Sequence, residues 1–316
     1  MSSRLSRSYL RALRHWRWGR SHGFGRLIEE DELNPATRVG RAVRKWWWRR
    51  GHPIEPGSAM PVWLVGVQRS GTNMIVRGFE ASPEFEVHNE NDRRAFDGFR
   101  LRSDEVVAAI LRSSRHRFVL FKPLCDSHRV DHLLDELPVA TPGRALWAYR
   151  GVDGRVRSAL AKFGDTNLRV LADIAAGRGV DRWQAQRLSS QSLDLVRSFD
   201  YRDLTPASGA ALFWYLRNAL YFELGLDRRA DVMLISYDAV VADPDPSMRA
   251  ACGLLGLPFH PRLIAHIEPR SPRQAPLELD TGIRSLCDEL QARLDAEAQA
   301  QRARLLEGKA GEPRTA

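Results

Sequence analysis

The sequence predicts an α/β fold of three layers. A mainly parallel central sheet is covered by helices on both faces, with a helical excursion and a basic N-terminal extension added to it. Three observations carry that expectation. Five short apolar runs, 62–67, 85–88, 118–121, 145–149 and 232–237, have the length and composition of strands buried on both faces. Helical segments alternate with them, which is the pattern of a parallel sheet joined by crossovers. The first run enters a turn of small residues and then a stretch with Ile75, Val76 and Phe79 at helical spacing, giving strand, loop and helix.

Taken in order, residues 1–60 form the extension and linker, and residues 61–310 the α/β domain. The net charge of +9 is uneven: residues 1–60 hold 13 Lys and Arg against 5 Asp and Glu, so 13 − 5 = +8 lies there and 9 − 8 = +1 in the rest. Within the extension Leu5, Tyr9, Leu13 and Trp16 share one helical face, with Arg4, Arg7, Arg11 and Arg14 opposite. Trp46, Trp47 and Trp48 between basic pairs repeat the theme. Such a segment either docks its aromatics on the domain or meets an anionic membrane surface. Nucleic acid is not an expected partner, because no recognisable module frames the aromatics. Residues 51–61 are rich in Pro and Gly and read as a linker.

Beyond the first strand, helices are expected over 104–112, 129–137 and from 153 onward. Residues 165–206 hold no convincing strand and form the excursion. Helices follow over 207–226 and 246–257, the latter ended by Gly256 and Pro258, and a terminal helix over 278–306. Hydrophobic content of 43% and charged content of 28% are those of a globular protein. Three scattered cysteines, Cys125, Cys252 and Cys287, have no metal-ligand spacing and point to a reducing compartment. No run approaches the roughly 18 apolar residues of a spanning helix, and no secretory signal opens the chain.

In an open α/β sheet, ligands collect at the carboxyl ends of the strands, so the polar residues there are read together. Strand one ends in Arg69, Ser70, Gly71, Thr72 and Asn73, where a helix N-terminus and backbone N–H groups suit an anion. Gly66 and Gly71 have the spacing of a nucleoside-triphosphate P-loop, but Thr72 stands where that motif needs lysine. A triphosphate–magnesium site therefore fits poorly, and a smaller phospho-anion remains. The second strand ends in His88 and Glu90, the third in Lys122, the fourth in Arg150, the fifth in Tyr237 and Asp238. Only four of 48 basic residues are lysine, so the compact ammonium of Lys122 at a strand end suits a moving negative charge.

Arg69-Ser70-Gly71-Thr72 after a buried strand resembles the 5′-phosphosulfate loop of sulfotransferases that use 3′-phosphoadenylyl sulfate (PAPS). Arg150 with Ser158 eight residues on resembles that family's grip on the 3′-phosphate, although Gly151-Val152 replaces its usual proline and the acid comes one place early, at Asp153. Residues 235–244 and 254–258, with Tyr237–Asp238 and Leu-Gly-Leu-Pro, continue the likeness in order, while Arg270 and Arg273 match its closing basic loop loosely. The resemblance implies transfer of a sulfuryl group from PAPS to a hydroxyl of a small-molecule, glycan or lipid acceptor, without a metal. Arg69, Ser70, Gly71, Thr72, Asn73, Arg150, Ser158 and Tyr237 would hold PAPS, with Lys162 adding charge at the 3′-phosphate. Arg69, Lys122 and Glu90 would act in catalysis, with Glu90 as base and His88 its rival. His116 and His128 are surface or turn residues in this reading. Residues 91–117 and 159–210 would shape the acceptor pocket, and the expected location is the cytoplasm, with the arm as a route to a membrane surface. A nucleotide-dependent kinase and a non-catalytic membrane-surface protein are the alternatives.

Overall fold

The computed structural model describes residues 35–271 and 275–307. The face predicted for residues 4–16, and Arg273, lie outside the described residues. The chain divides into two compact units between His52 and Pro53. In the first, helix α1 (Pro35–Gly51) carries Trp46 and Trp47, both exposed, with the Arg50 guanidinium 3.6 Å from the Trp46 ring centroid.

In the second unit, β1 (Met60–Gly66), β2 (Phe85–His88), β5 (Phe118–Phe121), β6 (Arg144–Tyr149) and β7 (Val232–Ser236) form one five-stranded sheet in the order β2-β5-β1-β6-β7. Every pairing is parallel, so all five carboxyl ends lie along one edge. The alternation along β1 explains the three layers. Val62 and Leu64 pack on one face with Ile75 and Phe79 of α2 (Thr72–Glu80) and Met248 and Leu255 of α10 (Pro244–Leu255). Trp63 and Val65 pack on the other with Val152 and Val156 of α5 (Val152–Phe163), Leu212 and Trp214 of α8 (Pro206–Glu223), and Leu290 of α11 (Thr281–Glu307). Side chains two apart share a face because the pleat has period two.

Between β2 and β5 the chain makes a short antiparallel ribbon, β3 (Phe96–Asp97) and β4 (Arg100–Leu101), that the sequence reading misses, and then α3 (Asp104–Ser113). Two-residue strands are too short for periodicity to show. A 3₁₀ turn over Leu124–Arg129 precedes the short α4 (Val130–Asp135). The excursion contains α6 (Thr166–Ala175) and α7 (Ser190–Arg197), and no strand.

The fifth strand ends one residue earlier than expected. Tyr237 opens α9 (Tyr237–Ala242), because Ser236 Oγ accepts the Ala239 N–H and caps the helix. The terminal helix runs to Glu307, and its late turns are bound into the unit. Gln301, 4% exposed, accepts the Leu234 N–H on the open edge of β7 (2.7 Å) and donates to Tyr221 Oη (2.9 Å). No described helix is long and apolar enough to cross a membrane.

Candidate active site

Because β1 is central and ends at Gly66, the loop that follows is held from both sides. The Gly66 N–H donates to Ser127 Oγ (2.9 Å), which donates back to the Gly66 carbonyl (3.0 Å). A β-carbon on Gly66 would lie 2.1 Å from the Ala148 carbonyl oxygen on β6, so only glycine permits this approach. Two residues of the turn have left-handed backbone, Arg69 (φ 73°) and Gly71 (φ 76°). For Arg69 that conformation costs about 1–2 kcal/mol, the kind of local strain that collects at functional sites. Gly71 N-caps α2 with no side-chain cap bond, so the helix N-terminus keeps its N–H groups and positive dipole end open to an anion. Ser70 is fully buried, and its Oγ has no hydrogen-bond partner among the described residues.

Arg69 Nε donates to Ser158 Oγ at 3.0 Å, so α5 reaches the loop through the serine that the sequence pairs with Arg150. Arg150 lies elsewhere on the same crevice: its guanidinium stands 4.4 Å from the Tyr237 ring centroid, and its Nε is buried without a partner. Burial lowers its pKa, against the pull of Tyr237 and Asp238, and Arg69 and Arg270 push the same way as burial. Tyr237 closes over the loop; its ring atom Cδ2 would be 2.1 Å from a β-carbon on Gly71, and its hydroxyl accepts from Arg270 Nη2 (2.8 Å). Asp238 does not face the crevice as a free carboxylate. It accepts the Gly151 N–H at 2.6 Å and so fixes the turn into α5. Asp153 accepts the Leu277 N–H and pairs with Arg284 Nη2, both at 2.8 Å, which ties α5 to α11. Lys162 is exposed on α5.

On the other side of β1, the β2–β5 register (His88 opposite Phe121) brings Glu90 and Lys122 together just past the strand ends. The Lys122 N–H donates to the His88 carbonyl (3.1 Å), carrying the pairing one step further. Lys122, 6% exposed, donates from Nζ to Asn73 Oδ1 (2.6 Å) in the first turn of α2 and lies 3.4 Å from Glu90 Oε2. One ammonium thus joins the phospho-anion loop to the carboxylate. Burial raises the Glu90 pKa; Lys122 opposes it and Asp126 adds to it. His88 is fully buried inside β2, with Nδ1 donating to Asp92 (2.8 Å), Nε2 3.3 Å from Glu86 and the ring stacked on Phe121. Burial would raise the Glu86 carboxyl, but bonds to His88 and Ser114 hold it at about 2.

Two histidines expected at the surface or in turns both lie at turns, and both are buried. His116 (6% exposed) bonds through Nδ1 to the Pro83 carbonyl, pinning the turn before β2, and His128 (3% exposed) sits in the 3₁₀ turn. The side chain that sequence reading missed is Arg155. It is fully buried, donating from Nε to the Gln68 carbonyl (3.3 Å) and from Nη1 to the Ala210 carbonyl (2.8 Å), with Nη2 unpartnered and no carboxylate paired to it among the described residues. Burial first, then Arg69, pushes it down to about 9. A standing positive charge therefore lies directly behind the loop. In a chain so rich in arginine, nothing local marks that one.

Among the described residues no group of three or more His, Cys, Asp or Glu is placed to hold a metal ion. No protein-family model matches the chain, and no curated protein matches it. The solved structures similar to it include three sulfotransferases. A sulfotransferase domain from the curacin biosynthetic pathway is 12% identical, with a TM-score of 0.48 over 74% of this chain and 98% of that one. A sulfotransferase from Alicyclobacillus acidocaldarius is 15% identical, with a TM-score of 0.41 over 79% and 96%. The sulfotransferase domain of an olefin synthase from Synechococcus PCC 7002 is 14% identical, with a TM-score of 0.43 over 76% and 98%. Likeness at that level carries no function; the side chains have to.

Proposed function

We propose that this chain is a sulfotransferase that moves a sulfuryl group from PAPS to a hydroxyl of an acceptor. The observation that carries the reading is the Glu90–Lys122–Asn73 chain of contacts, which puts a base, a cation and an open anion loop at adjoining strand ends. The residues present suit the group. Ser70 Oγ, Arg150 Nε and Arg155 Nη2 are buried polar atoms still lacking partners, all on or directly behind the loop or at its neighbouring strand end. The uncapped start of α2 with Arg69 would hold the 5′-phosphosulfate, and Arg150 with Ser158 the 3′-phosphate, beneath Tyr237.

When bound, PAPS supplies an activated sulfuryl group: a bond forms from sulfur to the acceptor oxygen as the bond to the bridging phosphate oxygen breaks. Glu90 takes the hydroxyl proton, and its raised pKa makes it a stronger base than an ordinary carboxylate. Lys122 would meet the charge on the departing oxygen, and Arg69 and Arg155 would keep the loop positive throughout. Sulfuryl transfer, like phosphoryl transfer, depends mainly on positioning and electrostatics.

Thermal melts of the full chain with adenosine 3′,5′-bisphosphate, adenosine 5′-monophosphate and ATP–magnesium test the reading. Saturable stabilisation by the bisphosphate alone is expected. Preference for ATP–magnesium would replace it with the kinase reading, and no response to any nucleotide would leave only the fold.

A further inference from the structure

A row of charged and aromatic side chains leads away from the phospho-anion loop, and sulfuryl transfer leaves it unused. Along α8, Ala210, Phe213 and Arg217 recur at i, i+3 and i+7 on one face. Arg155 reaches from the Gln68 carbonyl to Ala210 and lies 5.3 Å from the Phe213 ring centroid. Trp183, from the excursion, stands edge-on to Phe213 at 6.0 Å, and the Arg217 guanidinium is 5.4 Å from the Trp183 centroid. That row runs from the phospho-anion loop to Arg217. A second path leaves the same loop: Gln68 Nε2 donates to Cys125 Sγ (3.6 Å), and the 3₁₀ turn continues to Asp126 and His128.

Around His128 three arginines already have carboxylates. Arg100 pairs with Asp126 (2.6 Å), Arg129 with Asp104 (3.2 Å) and Arg187 with Asp131 (2.8 Å). Arg217 has none among the described residues. It is 3% exposed, donates from Nη1 to the Gln186 carbonyl (3.2 Å), and its Nη2 has no partner. His128, also 3% exposed, has an unpartnered Nδ1. Burial pushes Arg217 down to about 10, so it remains charged at neutral pH. An uncompensated buried guanidinium is costly, and a neutral hydroxyl or amide would not offset it. An oxyanion would, taking N–H donors from Arg217 and from the imidazole.

We propose that the acceptor carries an oxyanion, a carboxylate or an esterified phosphate or sulfate, held by Arg217 Nη2 and His128 Nδ1. Calling this an acceptor subsite rests on the sulfuryl-transfer reading; the anion site does not.

The test is thermal stabilisation of the full chain by benzoate, inorganic phosphate and neutral benzamide, with adenosine 3′,5′-bisphosphate binding measured on the same samples. Benzoate and phosphate, but not benzamide, should stabilise the wild type saturably. Arg217→Gln should weaken the benzoate response about tenfold or more while nucleotide binding is unchanged. Arg69→Gln should leave the benzoate response intact, which separates this site from the loop. Equal responses to benzoate and benzamide, or a wild-type benzoate response in Arg217→Gln, overturn the proposal. If Arg217→Gln does not fold, Arg217→Lys and His128→Asn decide: a weakened benzoate response in either supports the site, and wild-type responses in both overturn it. Failure of the nucleotide to bind while benzoate still does would remove sulfuryl transfer and leave the anion site standing.

Discussion

Glu90 and His88 are two residues apart and chemically interchangeable as bases, yet their surroundings separate them. His88 is enclosed by Glu86, Asp92 and Phe121, whereas Glu90 sits in the turn after β2 against Lys122. Glu90→Gln keeps the shape and should lower kcat by about 10²–10⁴ with little change in nucleotide affinity. His88→Asn should leave kcat near wild type while lowering stability; the reverse pattern would move the base to His88. Arg150→Ala should weaken adenosine 3′,5′-bisphosphate by about 10- to 150-fold, the worth of a charge-assisted bond, and remove discrimination against adenosine 5′-monophosphate in titration calorimetry. His128 gives a stability prediction. Burial, then Arg217, Arg100, Arg129 and Arg187, push it down to about 3 from an ordinary 6.5. The unfolded chain takes up a proton that the folded chain refuses, so stability present above pH 6.5 is lost as pH falls toward 3. His128→Gln should flatten denaturant-measured stability in that window by up to about 1.4 kcal/mol per pH unit. An unchanged slope would show that the imidazole is not held neutral.

At the scale of elements, the strand–loop–helix is legible in the sequence because it is local. The buried run, the glycines and the helical spacing of Ile75, Val76 and Phe79 all sit within twenty residues. The loop's exact tolerance is not local. Gly71 is required by its φ of 76° and by Tyr237, 166 positions further along the chain (237 − 71), lying over it. Gly71→Ala should therefore destabilise the fold by about 1–2 kcal/mol from backbone strain alone, and displace Tyr237. Weaker binding of adenosine 3′,5′-bisphosphate should accompany that loss; wild-type affinity would mean Tyr237 does not cover the nucleotide. Helix α1 presents Trp46 and Trp47 to solvent beside arginines. If it serves a membrane surface, replacing both with Ala should reduce cosedimentation with phosphatidylserine vesicles, and equal sedimentation would dismiss that role.

Across the whole molecule, the sheet has an exposed-edge problem that its last helix solves. Gln301 gives the β7 edge an acceptor for the Leu234 N–H and donates to the Tyr221 hydroxyl. Gln301→Leu strands the Leu234 N–H, leaves the Tyr221 hydroxyl only its bond to the Leu226 carbonyl, and should cost about 1–3 kcal/mol in chemical denaturation, with nucleotide affinity preserved. A neutral result would show that water replaces the amide. What the sequence determined by itself was the five strands of the central sheet, their parallel arrangement, and the fact that polar residues gather at their carboxyl ends, since apolar run length and alternation depend only on neighbours along the chain. The pairing of those polar residues was decided by tertiary structure. Arg69 meets Ser158 across 89 positions, Lys122 meets Asn73 across 49, and Asp238 is used up on Gly151. Arg155 and Arg217 look like any other arginine in the sequence, because what distinguishes them is burial without a carboxylate, and burial is set by the packing of α5, α8 and the excursion around them.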